Sequence, residues 1–459
     1  MRVAFGAILL LVSLQASAQV AGLMDLYRAA QRNDPVFAAA RATHAAGLES
    51  RAIGLSGLLP TLRGSASASA VAQDWTSGGA RRRDDYLART GAISLTQPLF
   101  DLEKFTDLDI GGMQAAQADS VFAEERQGLM LRVSQAYVDF LLAQDNLELA
   151  AAQKHALGAQ SEQTRRLYES GVATVTDMEE NRARFLVAEA QELVAANALE
   201  VSRKQLEKSV GTLPPGLRHS GVYAFEPVLP EPNELEVWKS SSRTQALGVL
   251  SAGIELKLAE LQARKSQQRH YPVVQLSASY QHAIDPSEAT QRSDVGRLGV
   301  DLLVPLYQGG RIDAETRRAL QLQQKSASDL EARVRQSEID ATEAFLGVVG
   351  GLSRIRAFEL AVQSSATALK GMEIGQRHGL RTNTDVLTAQ QQLYAARRDL
   401  QRERYAYLMN RLKLKAAIGS LDEPDLAFID RLVEVSMPGA VLQVLASGRR
   451  AAGSAPVRD

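Results

Sequence analysis

The sequence predicts a mixed α and β chain built as an internal tandem repeat. Each half joins a membrane-length β-hairpin to very long coiled-coil helices. Three observations carry this. The two halves match in register, two pairs of segments alternate apolar and polar residues, and two helical patterns run without proline from Asp101 to Glu169 and from Gly310 to Arg377.

The repeat comes first because it organises the rest. Ser170-Gly171-Val172-Ala173-Thr174-Val175-Thr176-Asp177 matches His378-Gly379-Leu380-Arg381-Thr382-Asn383-Thr384-Asp385. Ala136-Tyr137 and Ala344-Phe345 stand at the same spacing, as do Val210-Gly211 and Ile418-Gly419. Upstream, Gln97-Pro98-Leu99-Phe100 corresponds to Val304-Pro305-Leu306-Tyr307, and Leu59-Pro60 to Tyr271-Pro272, with slightly different offsets. A constant offset in the helices that drifts across the hairpins is what variable loop length produces.

Each half reads helix, strand, turn, strand, very long helix, tight turn, long helix. In the first hairpin Leu62, Gly64, Ala66, Ala68 and Ala70 alternate with Arg63, Ser65, Ser67 and Ser69, which predicts strands over 61–74 and 89–100. In the second, Val274, Leu276, Ala278 and Tyr280 alternate with Gln275, Ser277, Ser279 and Gln281. Its partner sets Leu298, Val300, Leu302 and Val304 against Gly299 and Asp301. Period two with one apolar face is the strand signal. A soluble sheet fits a single hairpin of this kind. Two equivalent ones, each at least the ~9–11 residues that cross a bilayer, favour a membrane. The connectors, Gln73–Ala88 with its Arg81-Arg82-Arg83-Asp84-Asp85 run and Asp285–Asp294, are polar and read as exposed loops. Small and apolar residues at heptad-like spacing, as in Val133, Ala136, Tyr137, Phe140 and Leu141, identify the long helices as coiled coil.

Met1-Arg2-Val3, an apolar run to Leu14 and Ala16-Ser17-Ala18 predict a secretory signal peptide over 1–18. No later segment approaches the ~18 apolar residues of a spanning helix, so a membrane would be crossed by strands. The predicted boundaries continue with a first repeat over 19–213, its hairpin at 61–100 and its long helices over about 101–211. A Pro-rich linker over 214–232 precedes a second repeat over 233–430, with a hairpin at 272–307 and helices over about 308–419; a partly disordered tail fills 431–459.

Composition excludes several classes of function. Cysteine is absent, which removes disulfides, thiolate metal sites, a cysteine nucleophile and a lipid-bearing cysteine. Net charge is −1, with arginines interleaved with acids along helices, so nothing argues for nucleic acid. The six histidines show no metal spacing, and neither a nucleophile elbow nor a complete phosphate loop is present; Gln308-Gly309-Gly310-Arg311 lacks the Gly-Lys-Ser/Thr ending. No catalytic residue, metal or cofactor is expected.

Four strands cannot close a barrel, and an open sheet edge cannot exist in hydrocarbon, so two or more chains are required. The signal sequence, the duplicated plan, Gln97-Pro98-Leu99-Phe100-Asp101, Val304-Pro305-Leu306-Tyr307-Gln308-Gly309-Gly310 and the two Gly-to-Thr-Asp turns resemble the TolC family of outer-membrane efflux proteins over about 23–429. The resemblance implies a homotrimeric outer-membrane β-barrel, four strands per chain, continuous with a long coiled-coil periplasmic α-barrel. A mixed belt would hold the linker and the segment after Gly419. It also implies an exit duct that docks on a periplasmic adaptor and an inner-membrane ABC or proton-driven transporter, in contact with outer-membrane lipid. The missing lipid-acceptor cysteine leans towards the branch serving type I protein secretion, with small-molecule export as the other. The alternative from another class is a soluble periplasmic coiled-coil adaptor.

By resemblance Gly171, Val172, Gly379 and Leu380 form tip turns that meet the adaptor, and Arg381 links to the Thr176–Asp177 turn to hold the entrance shut. Asp385 would face the constriction, where a ring of three acids favours cations and raises each pKa. Thr388 stands where relatives carry a second acid, and Gln376 where their latch includes a tyrosine. Both aspartates also fit the Thr-x-x-acid capping box that starts a helix.

Overall fold

The computed structural model describes residues 21–214, 217, 226–284 and 292–434. The predicted signal peptide, most of the residues between Pro214 and Glu226, and everything after Glu434 lie outside them. The chain divides into two compact units, one drawn from residues up to 38, 126–240 and from 339 onward, the other from residues 39–125 and 241–338.

The second unit holds the sheet. β1 (Thr61–Ser77) and β2 (Ala80–Phe100) form one antiparallel hairpin, β3 (Val273–Ile284) and β4 (Arg292–Leu303) the other. The four lie in the order β1-β2-β3-β4, with β2 pairing β3 so that the repeats join side by side. Among the described residues β1 and β4 leave their outer edges unpaired. The first hairpin corrects the sequence reading. Residues 73–88 are not a loop, because pairing continues to Ser77↔Ala80 and only Gly78-Gly79 turns the chain, at φ +59° and +86°. Two successive left-handed residues make the tight turn whose twist matches the strands, so the pairing runs out to its limit. β4 begins at Arg292, inside the expected second connector, whose residues 285–291 are outside the described set.

Side chains alternate as the pleat requires. Leu62, Ile93, Tyr280, Leu298, Val300 and Leu302 share the apolar face and are all exposed in the single chain. Ser65, Ser67, Ser94, Ser277, Ser279 and Asp301 share the other. An apolar outer face over a polar inner one is the lipid-facing pattern of a membrane sheet. Below it, α3 (Ser50–Ser56) and α7 (Leu247–Gln268) flank the first turns of α4 (Leu102–Glu169) and α8 (Arg311–Arg377). Lys265 bonds Asp107 at 2.5 Å, and Arg269 bridges Glu103 (3.2 Å) and Glu315 (2.5 Å).

The first unit is helical. It contains α1 (Leu23–Asn33), the later parts of α4 and α8, α5 (Val175–Val210), α9 (Asn383–Ala417) and α10 (Glu423–Glu434). Its core is the heptad face foreseen in the sequence: Val133, Tyr137, Phe140 and Leu141 are buried, with Ala344, Phe345, Tyr405 and Leu408 from the second repeat, while Ala136 is half-buried. Distant segments close this unit. Asp430 of α10 accepts from the backbone of Leu23 (2.6 Å) and Met24 (2.9 Å), satisfying orphan donors at the start of α1. Tyr407 donates to the Val228 carbonyl (2.6 Å) and accepts from its N–H (3.0 Å).

The helices before the hairpins are interrupted, the first at Asp34 and again at Glu49, the second at Ala246. α1 gives way to α2 (Pro35–Leu48) at Asp34, where Pro35 cannot continue a helix and Asp34 accepts from Phe37 N–H at 2.9 Å. α6 (Leu235–Gln245) gives way to α7 at Ala246, where the backbone is extended without a proline to cause it. No helix among the described residues is long and apolar enough to cross a membrane.

Candidate gate at the helix tips

Two helix–helix turns in the first unit carry nearly all the expected site residues. α4 ends with Gly171 at φ +76°; Val172 N–H bonds the Leu167 carbonyl (2.8 Å) and Gly171 N–H that of Tyr168 (2.9 Å). α8 ends in the same way, with Gly379 at φ +73°, Leu380 N–H on the Gly375 carbonyl (2.8 Å) and Gly379 N–H on Gln376 (3.0 Å). This pair of bonds is the Schellman arrangement, and it needs a residue that takes the left-handed conformation without cost. It leaves Val172 and Leu380 pointing into solvent, 75% and 80% exposed. Apolar side chains thrust outward at both turns are a local feature that capping does not require.

Three residues on, each chain segment re-enters a helix through a capping box. Thr174 and Thr382 are N-caps with near-identical backbones, φ −85° ψ 160° and φ −84° ψ 162°. Asp177 N–H bonds the Thr174 hydroxyl oxygen (3.1 Å), and the Asp177 carboxylate takes the Thr174 N–H (3.2 Å). Asp385 N–H bonds the Thr382 hydroxyl (3.2 Å), and its carboxylate takes the Thr382 N–H (2.9 Å). That backbone N–H, aided by the Thr382 side chain and by nearby Arg381, holds the Asp385 carboxyl below the usual carboxylate range. Within one chain the shift is therefore opposite in sign to the one a ring of three acids would produce.

Arg381 follows the second tip, and its stem lies against Gly375 of α8. A Cβ on that glycine would meet Arg381 Cγ at 2.7 Å. Among the described residues Arg381 makes no hydrogen bond or ion pair to Thr176 or Asp177. Thr176 and Thr388 are exposed.

Apart from Gln376, the residues that link the helices behind the tip are not ones the sequence singles out. Asn383 Oδ1 accepts from Gln160 of α4 (3.1 Å) and from Gln376 of α8 (3.4 Å). Thr384 donates to Glu180 (3.0 Å), Glu180 pairs with Arg184 (3.2 Å), and Arg184 reaches Gln391 (3.3 Å). Glu180–Arg184 is an (i, i+4) pair legible in the sequence; the links to Asn383 and Gln391 join residues with no sequence relation. Behind them Leu157, Ala188 and Leu387 form a small core, with Phe185 packed on it. A groove of about 260 Å³ opens beside that core, between Gln153, Glu180, Arg184 and Gln390.

The flank of α4 below the turn is strongly charged. Arg165 and Arg166 both bond Glu162, at 2.8 and 3.0 Å, and pull its carboxyl down to about 2. Arg165 also pairs with Glu169. Among the described residues, no group of three or more ligating side chains is placed to hold a metal ion.

Comparison with known proteins gives these turns a setting. The profile of the family described as outer membrane efflux protein matches residues 26–212 and again 238–420, so it meets the chain twice, once per repeat. The chain is 35% identical over 439 residues to the alkaline protease secretion protein AprF of Pseudomonas aeruginosa, covering 93% of this chain and 89% of that one. It is 32% identical over 420 residues to the outer membrane protein TolC of Vibrio cholerae, covering 90% and 94%. Among solved structures, the Campylobacter jejuni CmeC outer membrane channel superposes with a TM-score of 0.77 at 13% identity, over 91% of this chain and 90% of that one.

Proposed function

The chain belongs to the outer membrane efflux protein family and is an outer-membrane exit duct, and from that premise we propose that three copies of it pass protein substrates out of the cell. The observation that carries the cargo class is the similarity to a protease secretion protein across nearly the whole length of both chains. Family membership also removes the soluble adaptor alternative.

The geometry supports an assembly of several chains. A four-stranded sheet with an apolar outer face and two unpaired edges is stable in hydrocarbon only when β4 of one copy meets β1 of the next. Three such sheets give a twelve-stranded barrel, within the range of outer-membrane barrels. We assign the tip turns Gly171-Val172 and Gly379-Leu380 to the contact with a periplasmic adaptor: each presents an apolar side chain that the described residues leave largely exposed. An inner-membrane ABC or proton-driven transporter supplies the energy.

The entrance is assigned to Arg381, Asp385, Asp177, Thr176 and Thr388. Among the described residues Arg381 has no ion pair, which leaves its guanidinium for Thr176–Asp177 of a neighbouring copy. Asp385 arrives ionised, and three copies of it set a cation preference. Thr388 in place of a second acid makes that preference weaker.

Two measurements test the reading. Outer-membrane fractions run without and with heating should show a heat-dissociable trimer; a soluble periplasmic species would refute the assembly. Deleting the gene should abolish one or more extracellular proteins while leaving sensitivity to small toxic molecules unchanged. The reverse phenotype would replace protein cargo with drug export.

A further inference from the structure

The strand register places side chains in rows across the sheet, and one row of the apolar face breaks its own pattern. Counting outward from the helices, the face carries Val274 with Leu302, Leu276 with Val300, Ala278 with Leu298, and Tyr280 with Gly296. His282 and Asp294 come next, bonded at 2.6 Å, with Asp294 also taking the Tyr280 hydroxyl at 3.0 Å. Beyond them lies a row of Ala68, Arg89, Ile284 and Arg292. Neither Arg89 nor Arg292 makes a hydrogen bond or ion pair with another described residue, and both are exposed. From this row inward to the helices, the face carries no lysine and no other arginine. Arg63 and Arg297 belong to the opposite face, across from Ser94 and Ser279.

The height of that row decides what it meets. From Val274 to Ile284 the strand advances ten residues, about 34 Å at antiparallel rise. A tilt of about 40° turns this into about 26 Å along the membrane normal, close to the ~25 Å apolar band of outer-membrane barrels. The Gly78-Gly79 turn and the paired strand ends Ile284 and Arg292 lie at the end of the sheet remote from the helices, so this is the outer boundary. There the hydrocarbon ends and lipid headgroups begin.

We propose that Arg89 and Arg292 form a binding site for the phosphates of an outer-leaflet lipid. The two guanidiniums stand two strands apart, about 10 Å at the usual strand spacing, one on each side of Ile284. Ile284 and the apolar rows beneath the His282–Asp294 pair meet the acyl chains. Arginine suits this task because its planar fork takes phosphate oxygens in pairs, and it is weakly hydrated enough to sit at the edge of hydrocarbon. Asp294, in the next row, feels the charge of Arg292, but its hydrogen bonds go to His282 and Tyr280 and not to the arginines. The site rests on the outer-membrane placement of the sheet and adds a lipid of defined headgroup charge to it.

The test uses the trimer extracted from outer membranes in mild detergent and examined by native mass spectrometry after adding diphosphoryl lipid A or the same lipid with its phosphates removed. Wild type should retain the phosphorylated lipid through washing, and the dephosphorylated one far less. Arg89→Gln with Arg292→Gln should lower retention of the phosphorylated lipid about tenfold or more. Arg297→Gln, on the lumen face, should leave retention unchanged. Equal retention of the two lipids by wild type, or undiminished retention by the double variant, overturns the site. Should the double variant fail to assemble, the single variants carry the same comparison. Absence of any trimer from the outer membrane in wild type would instead overturn the underlying placement, and it is seen before lipid is added.

Discussion

Two adjacent glycines of α4 should respond to alanine with opposite signs. Gly111 faces α3: a Cβ there would run into the Ser50 carbonyl oxygen and lie 3.1 Å from the Ser50 carbonyl carbon and 3.2 Å from Arg51 Cα. Reciprocally, a Cβ on Gly54 of α3 would stand 2.6 Å from the Asp107 carbonyl oxygen and 3.0 Å from Leu108 Cα. The obstacles are backbone, so α3 must move away by about 1 Å to restore ordinary contact. Forcing extra atoms into such a contact costs about 1–3 kcal/mol, against about 0.5–1 kcal/mol gained because alanine is the better helix former. Gly111→Ala and Gly54→Ala should each be destabilising by about 1–2 kcal/mol, a 5- to 30-fold increase in local opening. Together they should cost less than their sum, since one displacement of α3 relieves both. Gly112 meets nothing within 4 Å, so Gly112→Ala should gain about 0.5–1 kcal/mol. Hydrogen exchange of the trimer reads both, through the amides of Ser50–Ser56 for the clash and those of the first turns of α4 for the gain. Unchanged or slower exchange of α3 in Gly111→Ala would refute the close approach. So would a Gly112→Ala variant that behaves like it.

Three further outcomes follow from the helical unit. Tyr405→Phe removes the hydroxyl that donates to Asp145 at 2.9 Å in a buried site, and should lower stability by about 1.5–3 kcal/mol in denaturant titrations. Because the Asp385 carboxyl titrates below its ordinary value, its contribution to the α9 cap is complete above pH ~4 and is lost as pH falls through the lowered pKa. Exchange of the first α9 turn, corrected for intrinsic pH dependence, should therefore quicken below pH ~4 in wild type and show no such step in Asp385→Asn. Arg381→Ser should raise single-channel conductance in planar bilayers, and an unchanged conductance would remove Arg381 from the latch.

Much of the fold was legible because its signals are local or repeated. The heptad positions around Tyr137, the alternation from Leu62 to Ala70 and the Gly171 and Gly379 turns each read correctly from a few neighbouring residues. The first hairpin misread for a definable reason. The charged run from Arg81 to Asp85 reads as a polar loop, whereas Gly78-Gly79 is the stronger signal, a two-residue turn that lets charged strands keep pairing. The Asp34 break was available from Pro35, and the matching break at Ala246 had no residue to announce it. At the tip, capping could be read but the cross-links could not. Gln160–Asn383 and Thr384–Glu180 depend on which helices lie side by side, and that is set by packing across more than two hundred residues of chain.

The sequence set two roles for Asp385 against each other, helix cap and pore-lining acid, and the geometry makes them compatible. Capping uses the carboxylate as an acceptor: one oxygen takes the Thr382 N–H, the charge faces the positive end of the α9 dipole, and both effects favour the ionised form. A pore acid needs the same thing, a carboxylate fixed in place that stays charged when like charges approach. The cap thus offsets part of the repulsion that a ring of three would impose. Asp177 is held by an equivalent box on an equivalent backbone, so backbone geometry does not distinguish the two repeats. What differs is the side chain before the cap, Ala173 in one repeat and Arg381 in the other. Any gate with threefold rather than sixfold character must then be built from that arginine and its neighbours Asn383 and Gln376, because the turns themselves are alike.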